Sequence, residues 1–187
     1  TFKVVERQPV SIAIRPGWNL VSLPGAPAAA AQSIDDVISN TDVDVVLTYD
    51  SRSASGFQSA VRGPDGTFGT DQALKTIDGS RAFWIHTTTF APLLVDIPGI
   101  QAGSAVLPPS FTLASGWNLI PVATLDSATT VRGSTEYFSG LSWSRAYGYD
   151  NATNSFDSIL PTDTATNNLT VGQGYWLFLR EGGDLVP

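Results

Sequence analysis

Few side chains in this sequence are suited to acid–base chemistry. Its three glutamates, Glu6, Glu136 and Glu181, show no pairing, whereas a glycosidase needs two carboxyls across one cleft. The single histidine, His86, has no neighbour in sequence of the type and spacing that a metal site or a catalytic triad requires. It reads as a strand-edge surface or packing residue. Asp42 and Asp44 in "DVD", and Asp65 and Asp71 in "PDGTFGTD", are oxygen donors of the kind calcium takes. Neither spacing fits the helix–loop–helix calcium loop with its terminal Glu, and turn formation is the plainer reading. With no Cys, thiol catalysis, thiolate metal sites and disulfides are excluded. These residues lead us to expect a protein that is not an enzyme and has no cofactor, with calcium the one ion its aspartates would suit.

The remaining chemistry is stacking and hydrogen bonding. Trp143, Arg145, Tyr147 and Tyr149 alternate along one segment, and alternation puts side chains on one side of a strand. Such a strip could stack on sugars, ring face to C–H face. An earlier segment aligns Val43, Val45, Leu47 and Tyr49 with these four, and that set reads as a core face. The aromatics are therefore expected in the core, with Arg145 the discordant member that sustains a glycan reading. Asn19 and Asn118 recur at matched positions; a buried amide must be paired, so each is expected to tie down neighbouring loop backbone. "NAT" at Asn151 and "NLT" at Asn168 are glycosylation sequons.

These matched positions belong to an internal repeat. Gly17-Trp18-Asn19-Leu20-Val21 returns as Gly116-Trp117-Asn118-Leu119-Ile120, Tyr49-Asp50 as Tyr149-Asp150, Phe57 as Phe156, and Trp84 as Trp176. A shortened offset before the last landmark places an insertion in the first copy, within the turn-rich "GPDGTFGTDQALK" from Gly63 to Lys75. The expected organisation is an N-terminal strand or linker over 1–10, a first module over 11–99, a linker over 100–109 and a second module over 110–187. Trp18, Trp84, Trp117 and Trp176 are expected to be largely buried anchors, since tryptophans at matched positions are most simply core.

Each module reads as short strands with about one short helix. "SIAI" and "WNLVSL" flank "RPG" as a hairpin; "SIDDVISN" carries a capping-box pattern, Ser33 with Asp36. "VDVVLTYD" and "FQSAV" form a second hairpin, and "RAFWIHTTT" pairs with "PLLVDI". The predicted class is mainly β, a β-rich α+β fold of antiparallel strands. "TFKVV" at Thr1–Val5 suits a spare strand, while the closing "GDLVP" looks cut short, which would invite strand addition within a chain or between chains.

The pattern resembles modules found, often in tandem, in large secreted and surface-layer-like proteins of bacteria and archaea. These open with "GWNLxSLP", carry a mid-module "YD" hairpin and close with "GxGYWI". The likeness is carried by Gly17–Pro24, Tyr149-Asp150 and Gly172-Gln173-Gly174-Tyr175-Trp176, and spans nearly the whole chain. The first copy departs from the closing motif, with Ala82 where the second has Gly174. The resemblance implies an extracellular, non-enzymatic, modular setting and supplies no ligand.

Composition agrees with that setting. The chain is 42% hydrophobic and 14% charged, with 17 Gly and 12 Pro, so it is rich in turns. Net charge is −7 and the only lysines are Lys3 and Lys75, so no basic cluster could hold a phosphate backbone, and nucleic acid is not an expected partner. No apolar run approaches the roughly 18 residues of a membrane span. With Thr1 first and no Met, the chain is expected to be a processed product or an excised fragment. The function expected is a structural or adhesive unit of an extracellular or cell-surface protein, acting on other protein domains or copies of itself. The alternative is a carbohydrate-binding module using the strip around Trp143, Tyr147 and Tyr149.

Overall fold

The computed structural model describes residues 9–40, 42–98, 109–124, 129–163 and 167–187. It is mainly β, as the alternating apolar segments and frequent turn residues require. The first half runs β1 (Val10–Ile14), β2 (Gly17–Val21), α1 (Ile34–Val37), β3 (Val43–Tyr49), β4 (Phe57–Val61), β5 (Phe83–Thr87) and β6 (Ala91–Val95). The second runs β7 (Phe111–Leu113), β8 (Gly116–Ile120), β9 (Val131–Gly133), α2 (Ser134–Tyr137), β10 (Trp143–Asp150), β11 (Ser155–Ile159), β12 (Asn168–Thr170), β13 (Tyr175–Leu179) and β14 (Gly183–Leu185).

The same strand order occurs twice. One four-stranded antiparallel sheet is ordered β2-β5-β3-β4 and the other β8-β13-β10-β11. The registers match as well: Trp18 opposes His86 and Leu20 opposes Trp84, just as Trp117 opposes Phe178 and Leu119 opposes Trp176. The β9–β12 pair shrinks in the first half to a single bridge between Ser33 and Thr76. Both β3–β4 and β10–β11 are hairpins.

Two expected pairings are corrected. β1 and β2 do not form a hairpin, and β5 does not pair with β6. Instead β1 pairs with β6, and β2 with β5, so two long segments run antiparallel and turn a corner together. β7 with β14 and β8 with β13 repeat this. Alternation specifies which faces a strand buries, not its partner. The corner needs a residue at positive φ, and Gly17 (φ 92°) and Gly116 (φ 91°) supply it without a Cβ clash. The closing strand is shorter than β6 but not unpaired, because β7 is equally short: Gly183, Asp184 and Leu185 oppose Leu113, Thr112 and Phe111. Thr1–Val5 lies outside the described residues.

Each sheet buries one face in its own core. The first core gathers Ile14, Leu23, Val46, Ile85 and Leu93, and the second Ile120, Ala146, Leu177 and Leu185. Each large apolar side chain buried there contributes about 1.5–3 kcal/mol. α1 is capped by Ser33, whose Oγ accepts from the Asp36 amide at 3.1 Å. The inserted loop is more than a turn. Its Phe68 fills the first core beneath the Arg62 guanidinium, 4.2 Å from the ring. The second half lacks that loop, and its core holds the larger Tyr137 and Phe138 where the first has Val37 and Ile38.

Candidate functional site

The opposite face of each sheet carries the unusual chemistry, and a bulge decides which residues reach it. In β10 the register slips between Trp143 and Arg145, and in β3 between Val43 and Val45. A bulge adds one residue, so side chains before and after it that share parity no longer share a face. Trp143 therefore turns inward onto Phe138, ring centroids 4.9 Å apart, as Val43 does in its own core. Arg145, Tyr147 and Tyr149 turn outward. The expected single strip of four is thus split: Tyr147 lies outside both sheet cores, and Tyr149 packs against the separate buried cluster of Leu20, Ala82 and Leu119. Val45 and Leu47 likewise leave the core face they were assigned.

The four matched tryptophans are part-buried, and they pack outside the two main cores. Trp84 and Trp176 are covered by the other half of the chain. Trp84 meets Tyr149 at 4.8 Å, and Trp176 meets Tyr49 at 5.3 Å. Leu20, Ala82 and Leu119 are buried between these rings. Backbone bonds cross this seam reciprocally, Gly174 N donating to Leu20 O (3.1 Å) and Ala82 N to Leu119 O (3.4 Å). Ser22 adds a donation from its amide to Gly172 O that has no counterpart, because Pro121 stands at the matching position and has no N–H.

Outward from the seam the rings continue. Trp117, Tyr147, Phe156 and Trp176 line an open recess of about 420 Å³. Trp117 and Tyr147 are tilted 32° to one another at 5.8 Å, while Trp176 stands at 90° to Trp117, and Phe156 at 77° to Tyr147. Phe156 is 54% exposed, and its counterpart Phe57 is 58% exposed. Sequence reading used these two only as repeat landmarks. Their place on edge strands, one residue out of phase with the core, was the available signal.

The other candidates are structurally engaged. Asn19 Oδ1 accepts from Arg15 N (2.9 Å) while Nδ2 donates to Arg15 O and Gly17 O. Asn118 repeats this on Ala114 and Gly116, so both asparagines hold the corners. His86 Nδ1 lies 2.7 Å from Asp44 Oδ1, and its ring rests 5.2 Å from Trp18. Asp44, the unpaired bulge residue, is a partner that sequence reading missed. Asp42 accepts from Thr89 Oγ1, and Asp65 accepts from the amide and hydroxyl of Thr67. Among the described residues no three His, Asp or Glu side chains come together as metal ligands. Asn151 Nδ2 donates across the seam to Trp18 O (2.6 Å) and Pro16 O (3.2 Å), whereas Asn168 is exposed on β12.

Two polar clefts flank the seam. One holds Asp150 and Asp157 beside Arg15 and Gln173, the other Asp50 beside Arg81 and Arg52. A general acid needs a raised carboxyl pKa. Asp150 moves the other way, lowered first by the Ala152 amide and then by Thr153. Burial pushes Asp50 up, but the Arg52 amide and the Arg81 and Arg52 charges outweigh it and hold the carboxyl below its ordinary value. Asp150 caps a turn, and Asp50 both caps a turn and pairs with Arg81 and Arg52. Comparison of the chain with known protein families, with curated proteins and with solved structures finds no match.

Proposed function

We propose that this chain is a non-enzymatic structural and adhesive unit of an extracellular or cell-surface protein, working by contact through its outer aromatic face. The observation that carries the reading is the exposure of Phe57 (58%) and Phe156 (54%) on hairpins at either side of a seam that is itself closed. Each belongs to a cluster of rings, Phe57 beside Tyr49 and Trp176 and Phe156 beside Tyr149 and Trp84, and exposed apolar clusters of this kind mark contact surfaces. Supporting this are the resemblance to tandem modules of secreted and surface-layer-like proteins, and clefts in which Asp150 is tied into a turn and Asp50 into a turn and ion pairs.

Sedimentation velocity over a wide concentration range tests it. The native chain should self-associate reversibly, and a Phe57→Ser/Phe156→Ser double variant of unchanged melting temperature should remain monomeric. Identical sedimentation of the two chains would count against contact between copies through this face.

A further inference from the structure

We infer that the recess formed by Trp117, Tyr147, Phe156 and Trp176 binds a neutral, gluco-configured oligosaccharide. The inference rests on reading the aromatic face as a contact surface, and it names the ligand of one part of that face. The recess is lined by four aromatic side chains, one from each strand of the second four-stranded sheet. A pyranose with equatorial substituents offers two C–H faces and a rim of hydroxyls. The Trp117 and Tyr147 rings, tilted 32° with centroids 5.8 Å apart, are too close to hold a sugar between them and instead offer ring surface to one of its C–H faces, while Trp176 and Phe156 stand steeply against them.

The rim is met by unspent donors. Neither the Trp117 and Trp176 indole N–H groups nor the Tyr147 hydroxyl hydrogen-bonds to any described residue. An aliphatic knob from a protein partner would leave those donors without partners, at a cost. No carboxylate lines the recess, and exposed Arg145 shares its face, which disfavours a quaternary ammonium despite the ring set. In the first half Leu47 stands where Tyr147 does, so the ring set is broken there and one site per chain is expected.

The test titrates the full chain with cellohexaose and maltohexaose, straight and curved chains of the same sugar, by tryptophan fluorescence and calorimetry. Saturable binding of either at one site per chain is expected. Phe156→Ser and Tyr147→Leu should each weaken it by about tenfold or more, and Tyr147→Phe less, because it keeps the ring. Trp143→Phe should leave affinity unchanged, since that ring packs inward on Phe138. Melting temperatures of the variants establish that each is folded. Absence of saturable binding at millimolar sugar, or binding indifferent to Phe156→Ser and Tyr147→Leu, overturns the inference, as does uptake of tetramethylammonium in place of sugar. If sugars fail while the Phe57→Ser/Phe156→Ser variant still loses self-association, the glycan inference falls and the contact surface stands. If sugars fail and that variant sediments like the native chain, both fall.

Discussion

Ala82 and Gly174 occupy matched positions in the two repeats and face one another across the seam. A Cβ placed on Gly174 would lie 2.5 Å from the Ala82 Cβ, 3.0 Å from Leu20 Cδ1 and 3.0 Å from Val21 O. One of the pair can carry a methyl only because the other does not, so the seam joins unlike halves. Gly174→Ala should therefore cost about 1–3 kcal/mol by overpacking. In the Ala82→Gly/Gly174→Ala double variant the methyl–methyl clash is removed but the 3.0 Å approaches to Leu20 Cδ1 and Val21 O remain, so part of that cost should be recovered. Urea denaturation of the four chains of this cycle measures the coupling. Additive losses would mean that the two residues do not meet.

The corner asparagines should behave as a matched pair. Asn19 is 6% exposed and Asn118 is 3% exposed, and each satisfies both backbone groups of the residue four positions before it. Truncation to Ala leaves those groups unpaired, at about 1–3 kcal/mol per site. Asn→Asp keeps the acceptor but loses the donors, so it should rescue little. Chemical denaturation that shows either alanine variant as stable as the native chain would rule out the corner role.

The recurring corner was legible in sequence because Gly17, Asn19 and Leu20 each answer a separate demand that recurs at Gly116, Asn118 and Leu119: a positive φ, a tie beneath it, and a seam contact. Strand partners were less legible. The pattern of Val10–Ile14 is equally satisfied by pairing with β2 or with β6, and only the corner geometry excludes the former. The bulges were invisible, since Trp143 and Tyr147 have the same parity, and one extra residue sends them to opposite faces. That the tryptophans pack outside the two main cores could not be read either. A ring against a partner sheet and a ring in a core leave the same apolar residue in the sequence. The departure at Ala82 was visible, but its meaning required the other half to be in place.

Tyr137 provides a pH test of the second core. Its hydroxyl donates to Pro121 O (3.0 Å) and accepts from Ala123 N (2.8 Å). Burial pushes the phenol pKa up to about 12. A raised folded pKa means that the stability tied to the neutral phenol is fully present below the unfolded value near 10. It is lost as pH rises from there through about 12. Tyr137→Phe should cost about 1–3 kcal/mol at neutral pH by stranding the Ala123 amide. The variant should also lose part of the alkaline destabilisation. Parallel alkaline melting curves for the two chains would show that this phenol does not titrate late.

The two sequons should fare differently in a host that glycosylates. Asn168 is exposed on β12, where a glycan meets solvent. Asn151 uses its amide nitrogen, the atom that would carry the sugar, to donate to Trp18 O and Pro16 O across the seam. A glycan there removes one of the two N–H donors and places bulk between the halves. Peptide mass spectrometry of the chain expressed in such a host should therefore find Asn168 occupied and Asn151 largely unmodified. Asn151→Ala should cost about 1 kcal/mol, as expected for a modest loss of hydrogen bonding at a part-buried site. Asn168→Ala should leave the melting temperature unchanged. Full occupancy at Asn151 in a chain that keeps its native stability would show that the seam does not depend on this contact.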